Sequence, residues 1–244
     1  LIQGHEVISF QRSLKPFSNI ERRYFDLSNP DSIKRDLVAD VDVVIHAAAL
    51  VHNAKAGHEL HNSNNFEATK SLFNVCVDCE IEKFIFLSTV AVYGLFSSTK
   101  TINVNSKIAP ISPYGEAKLK SEQFLLSSDV PTKISILRLP LVYGKGAPGN
   151  FGTLEKIALS KIPLPFLNVN NKRSVVNVHR LAETLVSIVE CKDKYLGLQL
   201  LCEEKPFSTK DIIIKIRAEN GMTPLLFPFP KKLLKFVLSF LGKD

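Results

Sequence analysis

Tyr114 and Lys118 are the pair of residues whose types and spacing could do chemistry. They stand four positions apart in the stretch Ser112-Pro-Tyr-Gly-Glu-Ala-Lys-Leu-Lys-Ser-Glu122. Most residues after Pro113 are good helix formers, and on a helix positions i and i+4 share one face. The spacing therefore predicts a lysine ammonium beside a phenol. A phenol ordinarily titrates near ~10. A fixed cation lowers that value by favouring the phenolate, which makes the group usable as a general base or acid near neutral pH. By itself the pattern also describes an ordinary solvated Tyr–Lys pair, so the rest of the chain has to decide between the two readings.

The elements that must position this pair follow from the apolar pattern. His5–Phe10, Arg23–Asp26, Val41–Ala49, Lys83–Thr89, Lys133–Arg138 and Leu196–Leu201 read as strands. Val41–Ala49 and Lys83–Thr89 have the continuous apolar texture of strands buried on both faces, as in parallel sheets. Between the strands lie helical patterns over Asp31–Leu37, Asn62–Cys79, the Tyr114 segment, Leu154–Ser160 and Leu181–Glu190. A further helix, Ser208–Asn220, carries Ser208 or Thr209 as N-cap and Gly221 as C-cap. Alternating strands and helices argue for an α/β fold with a Rossmann-like, doubly wound parallel sheet. In such sheets ligands bind beyond the carboxyl ends of the strands. Ala47–Ala49, the hydroxyls of Ser88 and Thr89, and Pro140–Gly144 all fall at such ends.

Residues 1–145 are expected to form the sheet domain and residues 146–244 a smaller C-terminal substrate domain, with 174–195 returning to the first. Leu1–Gly4 reads as the end of a helix with no strand before it, which implies that the N-terminal part of the fold lies upstream of Leu1. Pro230–Leu241 reads as a short amphipathic segment docked on its own domain.

Composition narrows the function classes. The chain has 244 residues, 45% of them hydrophobic and 23% charged, which is the balance of an ordinary globular protein. No apolar run reaches the ~18 residues of a membrane span, and no signal peptide is visible. Cys76, Cys79, Cys191 and Cys202 are too sparse for a disulfide scaffold. Cys76 and Cys79 fit an apolar helical face, so packing outweighs a metal or redox role, and a reducing, cytoplasmic setting fits. The net charge of +7 is scattered, without the basic face or aromatic interleaving of a nucleic-acid binder. His52, His58 and His61 lack metal-ligand company and read as loop or surface, whereas His46 reads as a packed core histidine. No metal site is expected.

Six segments, in order, resemble the extended short-chain dehydrogenase/reductase family, in particular nucleotide-sugar epimerases of the UDP-glucose 4-epimerase type. Val44-Ile-His-Ala-Ala-Ala49 resembles the strand leading to the nicotinamide side of the cofactor. Asn65-Phe-Glu-Ala-Thr69 is similar to N-x-x-G-T, and Phe86–Gly94 to S-S/T-x-x-V-Y-G. Pro113-Tyr-Gly-Glu-Ala-Lys118 resembles P-Y-x-x-S-K, with Ala117 for Ser. Leu137–Gly144 is similar to L-R-P-x-x-V-Y-G, and Arg173–Leu181 to R-x-x-x-x-V-x-D-L.

The resemblance implies a catalytic set of Thr89, Tyr114 and Lys118. It implies cofactor contacts from Arg12, Asp26, Leu27, Ala47, Ala48, Asn65, Ser88, Tyr114 and Lys118, and substrate contacts from Thr89, Asn150 and Arg173. The implied cofactor is NAD, with NADP left open by Arg12, which could accept a 2′-phosphate. The implied reaction is epimerisation at C4 of a UDP-sugar through a transient 4-keto intermediate. A 4-ketoreductase using the same triad and a non-catalytic binding module are the alternatives. The implied partners are a nucleotide-sugar and a second copy of the chain, paired through the helices after Asn65 and Tyr114.

Three departures matter. The family's Gly-rich dinucleotide turn precedes the first residues here, and the glycines of Gly144–Gly152 follow a later strand. His179-Arg180 replaces the usual acidic position before Leu181. Val90-Ala91 stand where 4,6-dehydratases of the family carry Asp-Glu, which argues against elimination of water.

Overall fold

The computed structural model describes residues 4–12, 20–51, 57–95, 101–144, 146–147, 149–193 and 196–230. The described chain folds as two compact units. The first comprises residues 1–138 together with 185–200; the second comprises 139–184 together with 201–244. Each unit draws on two stretches of chain, the first regaining residues 185–200 after the second has begun.

In the first unit, strands β1 (Ile8–Gln11) and β2 (Glu21–Tyr24) pair in parallel. Strands β3 (Val43–His46), β4 (Lys83–Thr89), β5 (Lys133–Leu139) and β8 (Gly197–Leu200) form a second sheet in the order β3-β4-β5-β8. The β3–β4 and β5–β8 pairs are parallel. The architecture is therefore α/β with parallel sheets, although the described strands of the first unit fall into two sheets rather than one. Phe10 of β1 and Phe25, just after β2, pack into the same apolar cluster as Val44, Phe84, Phe86 and Ile136 from the larger sheet.

Helical layers cover this cluster. His58–His61 (α1) runs into a π-helical segment, Asn62–Glu67, and then into α2, Ala68–Asp78. Leu72, Phe73 and Cys76 of α2 are buried, which is the packing role expected for Cys76, and burial pushes its thiol up to about 12. Helix α3, Pro113–Leu126, starts where its sequence requires. Ser112 is the N-cap and accepts from Gly115 N at 3.1 Å, and Pro113 opens the first turn.

Several sequence readings change. Asp31–Leu37 is not one helix but two 3-10 turns, Pro30–Ser32 and Arg35–Leu37. Strand β3 is shorter than Val41–Ala49, and it is not buried on both faces. Val44 and His46 point inward while Ile45, on the opposite face, is 42% exposed.

In the second unit, β6 (Leu141–Tyr143) and β7 (Val175–Asn177) pair in parallel. Helices α4 (Gly149–Ala158), α5 (Val178–Glu190) and α6 (Thr209–Glu219) follow or separate the strands, α5 running on into the first unit. Phe151, Ala158, Val175, Ile212 and Ile213 build the core. Ser208 and Asp211 form a capping box on α6. His179-Arg180 also finds an account: Asn177 Oδ1 accepts from His179 N at 2.8 Å, and Arg180 pairs with Glu203 at 3.5 Å. The segment read as amphipathic after Pro230 lies outside the described residues, as does His52.

Candidate active site

Strand β4 ends at Thr89, and the next residues, Val90–Tyr93, make one 3-10 turn. Thr89 caps that turn through its hydroxyl, which accepts from Ala91 N at 3.1 Å. The turn closes at Gly94, whose φ is +65° and whose Cβ position lies 1.8 Å from Ala109 O, so only glycine fits. Helix α3 approaches this turn closely because its second residue after Pro113 is Gly115. A Cβ there would stand 2.9 Å from Ala91 O. That approach sets Tyr114 against the end of β4, with its phenol near enough to Thr89 to be influenced by it.

One turn on, the Lys118 side chain is buried. Its Nζ donates to Leu87 O at 2.7 Å and lies 4.3 Å from the centroid of the Phe86 ring. The three implied catalytic residues are thus gathered on one helix face and one strand end.

The electrostatics differ from the sequence expectation. The Tyr114 phenol is pushed up to about 12 by burial, with nearby Thr89 opposing the shift, and is not lowered by Lys118. The Lys118 ammonium is pushed down to about 7 by burial, with Glu122 opposing the shift. Burial acts on both groups in the direction that disfavours charge. In the protein alone the pair is therefore poised with the phenol protonated and the lysine near its midpoint at neutral pH.

The loop after β3 is held from the π-helical segment. Asn65 donates from Nδ2 to Leu50 O at 3.1 Å and accepts at Oδ1 from Leu50 N at 2.7 Å. This clamp sits beside Ala47 and Ala48, which are exposed and carry only methyl groups. Asn65 also contacts His61 Nδ1 at 3.2 Å, and the His61 ring meets the Tyr114 ring edge-on at 6.3 Å. His61 is buried, so its assignment to loop or surface is corrected. The spacing of four between His61 and Asn65 was the available signal. His58 is exposed and bonded to Glu116.

His46 is a core residue as read. Thr69 donates its proton to Asn65 O, so His46 Nε2 donates to Thr69 Oγ1 at 2.9 Å. Burial holds the imidazole down to about 3, which leaves it neutral and without a part in proton transfer.

At the ends of β1 and β2, Asp26 Oδ1 accepts from Ser28 N at 2.9 Å, and this turn holds its carboxyl below the usual range, with a smaller contribution from Arg12. Leu27 packs partly against the core cluster. Ser88 is not grouped with the triad: its hydroxyl turns inward onto Glu122.

In the second unit, Arg173 pairs through its backbone with Phe207, with its side chain exposed. Asn150 lies in the first turn of α4, and its side chain falls outside the described residues. The Gly144–Gly152 segment leads from β6 into α4 and stands in the second unit, apart from the first βαβ unit.

A parallel α/β sheet with a hydroxyl, a tyrosine and a lysine gathered at a strand end defines the class. The chain belongs to the NAD dependent epimerase/dehydratase family, whose model matches residues 1–195. It is 27% identical over 210 residues to a UDP-glucose 4-epimerase of Vibrio cholerae, an alignment covering 83% of this chain and 64% of that protein. The chain thus spans less than two thirds of that curated relative. Its fold is similar to UDP-N-acetylglucosamine 4-epimerase from Bacillus cereus, with a TM-score of 0.77 at 20% identity over 93% of this chain and 78% of the other. It is also similar to MoeE5 in complex with UDP-glucose and NAD, with a TM-score of 0.74 at 21% identity over 93% and 78% of the two chains. Among the described residues no helix is long and apolar enough to cross a membrane.

Proposed function

We propose that the chain carries the catalytic residues of a UDP-sugar 4-epimerase that uses NAD. The observation that carries this reading is the contact of Tyr114 with Thr89 at the end of β4, with Lys118 buried one turn further along α3. The residues present suit the cofactor: the methyl-only Ala47-Ala48 backbone, steadied through Asn65, allows close approach, and Lys118 offers an ammonium for a ribose hydroxyl. Asp26, Leu27 and Arg12 would hold the adenosine end. Bound NAD supplies reversible hydride transfer with C4 of the sugar.

The chain's own residues move the proton. Tyr114, as phenolate, takes the proton of the sugar 4-OH and returns it to the epimer. Thr89 hydrogen-bonds the same oxygen and orients it. A charged Lys118 favours the phenolate, offsetting the burial that raises the Tyr114 phenol. Arg173 and Asn150 are assigned to the nucleotide diphosphate, for which a guanidinium is well suited. Pairing of two copies through α2 and α3 belongs to the same reading.

The test uses the protein with NAD and UDP-glucose, UDP-galactose or their N-acetyl forms. Interconversion of 4-epimers without net NADH formation is expected. Tyr114→Phe should lower turnover by about 10³-fold or more; wild-type turnover in that variant would remove Tyr114 from the mechanism. Net oxidation of NADH with a 4-keto sugar would make the enzyme a ketoreductase instead.

A further inference from the structure

Beneath the triad lies a fully buried charged cluster that the mechanism above does not use. Glu122 is one turn after Lys118 and two turns after Tyr114 on α3. Arg138 of β5 grips it from Nε at 3.0 and 3.2 Å and from Nη2 at 2.6 Å. Arg138 Nη1 also donates to Tyr93 OH at 2.8 Å, in the 3-10 turn that follows Thr89. The Ser88 hydroxyl donates to Glu122 Oε1.

The contacts form a ladder along one stripe of α3. Tyr114 lies by Thr89, Lys118 donates to Leu87 O, and Glu122 accepts from Ser88, so three successive residues of β4 each face a different turn of the helix. Glu122 is the only one of the three rungs locked by a bidentate partner on another strand.

We propose that Glu122 is a positioning residue for this site: clamped by Arg138 and Ser88, it fixes α3 against the end of β4 and holds a negative charge one turn from the Lys118 ammonium. The inference rests on the reading of Lys118 as part of the triad. The groups around Lys118 support an assignment to Glu122 alone. On β4 it faces a carbonyl and the Phe86 ring; on β3, His46 is neutral; on α3, the Tyr114 phenol is protonated; on β5, Arg138 reaches Glu122 and donates also to Tyr93 of the 3-10 turn. Glu122 is thus the sole anion acting on Lys118 among these groups, and two cations share it.

The experiment follows the titration of the Lys118 ammonium by NMR in the whole chain with isotope-labelled lysine, the signal being assigned by its loss in Lys118→Arg. Glu122→Gln leaves two buried cations, and the Lys118 midpoint should fall by about one pH unit. Arg138→Gln leaves the carboxylate to Lys118 alone, and the midpoint should rise by about as much. A purely structural cluster would not move the midpoint in opposite directions.

Should either single variant fail to fold, Glu122→Met with Arg138→Met replaces the pair by apolar side chains of similar length, which buried ion pairs often tolerate. Its Lys118 midpoint should also fall. An unchanged midpoint in the folded double variant, or shifts of one sign in both single variants, would overturn the proposal. In the turnover assay, Glu122→Gln should lose more activity at pH 8 than at pH 6. The NMR result does not depend on turnover, so absence of epimerase activity with the expected midpoint shifts would remove the proposed reaction and leave this inference standing.

Discussion

Each unit buries one arginine completely, and the two are satisfied in opposite ways. Arg138 in the first unit meets a carboxylate, Glu122, and the Tyr93 hydroxyl. Arg217 in the second unit donates to four backbone carbonyls, those of Ala158, Ser160, Ile162 and Leu225, at 2.8 to 3.1 Å. Ala158 is the last residue of α4, so Arg217 closes the carbonyl end of that helix, where a cation is favoured. Among the described residues no ion pair reaches it. One guanidinium organises backbone; the other balances a carboxylate one turn from the buried Lys118. The lesson is that equal burial does not mean equal function, and the partner's chemistry separates the two roles.

The largest expected effect breaks the second-unit arrangement. Arg217→Leu should cost roughly 3–5 kcal/mol of stability in urea unfolding, because several buried carbonyls lose their donor at once. The same variant should leave the Lys118 titration in place. The next test sharpens the contrast. Arg138→Leu strands Glu122 and should cost roughly 3 kcal/mol, whereas Glu122→Leu with Arg138→Leu should return to within about 1.5 kcal/mol of the wild type. No comparable rescue exists for Arg217, which has no charged partner to remove. A double variant no more stable than the single one would show that the first-unit pair is also architectural.

A smaller effect concerns Lys118 and depends on pH. Its folded value of about 7 lies below the ordinary 10.5, so between those values the unfolded chain binds more protons and stability rises with pH. Below about 7 folding must bury the cation in full. Lys118→Met should therefore be more stable than wild type by roughly 2–4 kcal/mol at pH 6, with the advantage shrinking toward pH 10. Equal advantage at both pH values would mean that the ammonium is not desolvated as described.

The nearness of Tyr114, Lys118 and Thr89, on which the proposed triad rests, was legible in the sequence because its signals are local. Tyr114 and Lys118 share a helix face, and the hydroxyl of Thr89 closes a strand of continuous apolar residues. The alternation of β4, α3 and β5 was equally plain. What could not be read depends on packing between distant segments. Glu122 finds Arg138 and Ser88 only when α3 lies on β4 and β5, and nothing in its neighbours marks it as more than a helix former. His61 looked like a loop residue because its burial comes from α3, about fifty positions away. The direction of the Tyr114 shift was misjudged for a related reason. Spacing reports the nearness of the lysine, but not the desolvation of both groups, which here outweighs their attraction. Asp31–Leu37 failed as a helix because Pro30 and the short span permit only isolated turns.

The discontinuity of the first unit has a consequence for how the chain is made. Strand β8 arrives from residues 197–200, after the whole 139–184 segment. Lys83 likewise waits for the carbonyls of Ile188, Val189 and Cys191, 105 to 108 positions downstream. On a ribosome, residues 1–138 emerge with one side of β5 unpaired and a lysine without its acceptors. The triad is already synthesised at that stage, but the sheet beneath it is completed only after residue 200. The nascent first unit is therefore the state most exposed to edge pairing with other chains. Slow translation between Leu139 and Leu200 would lengthen that exposure.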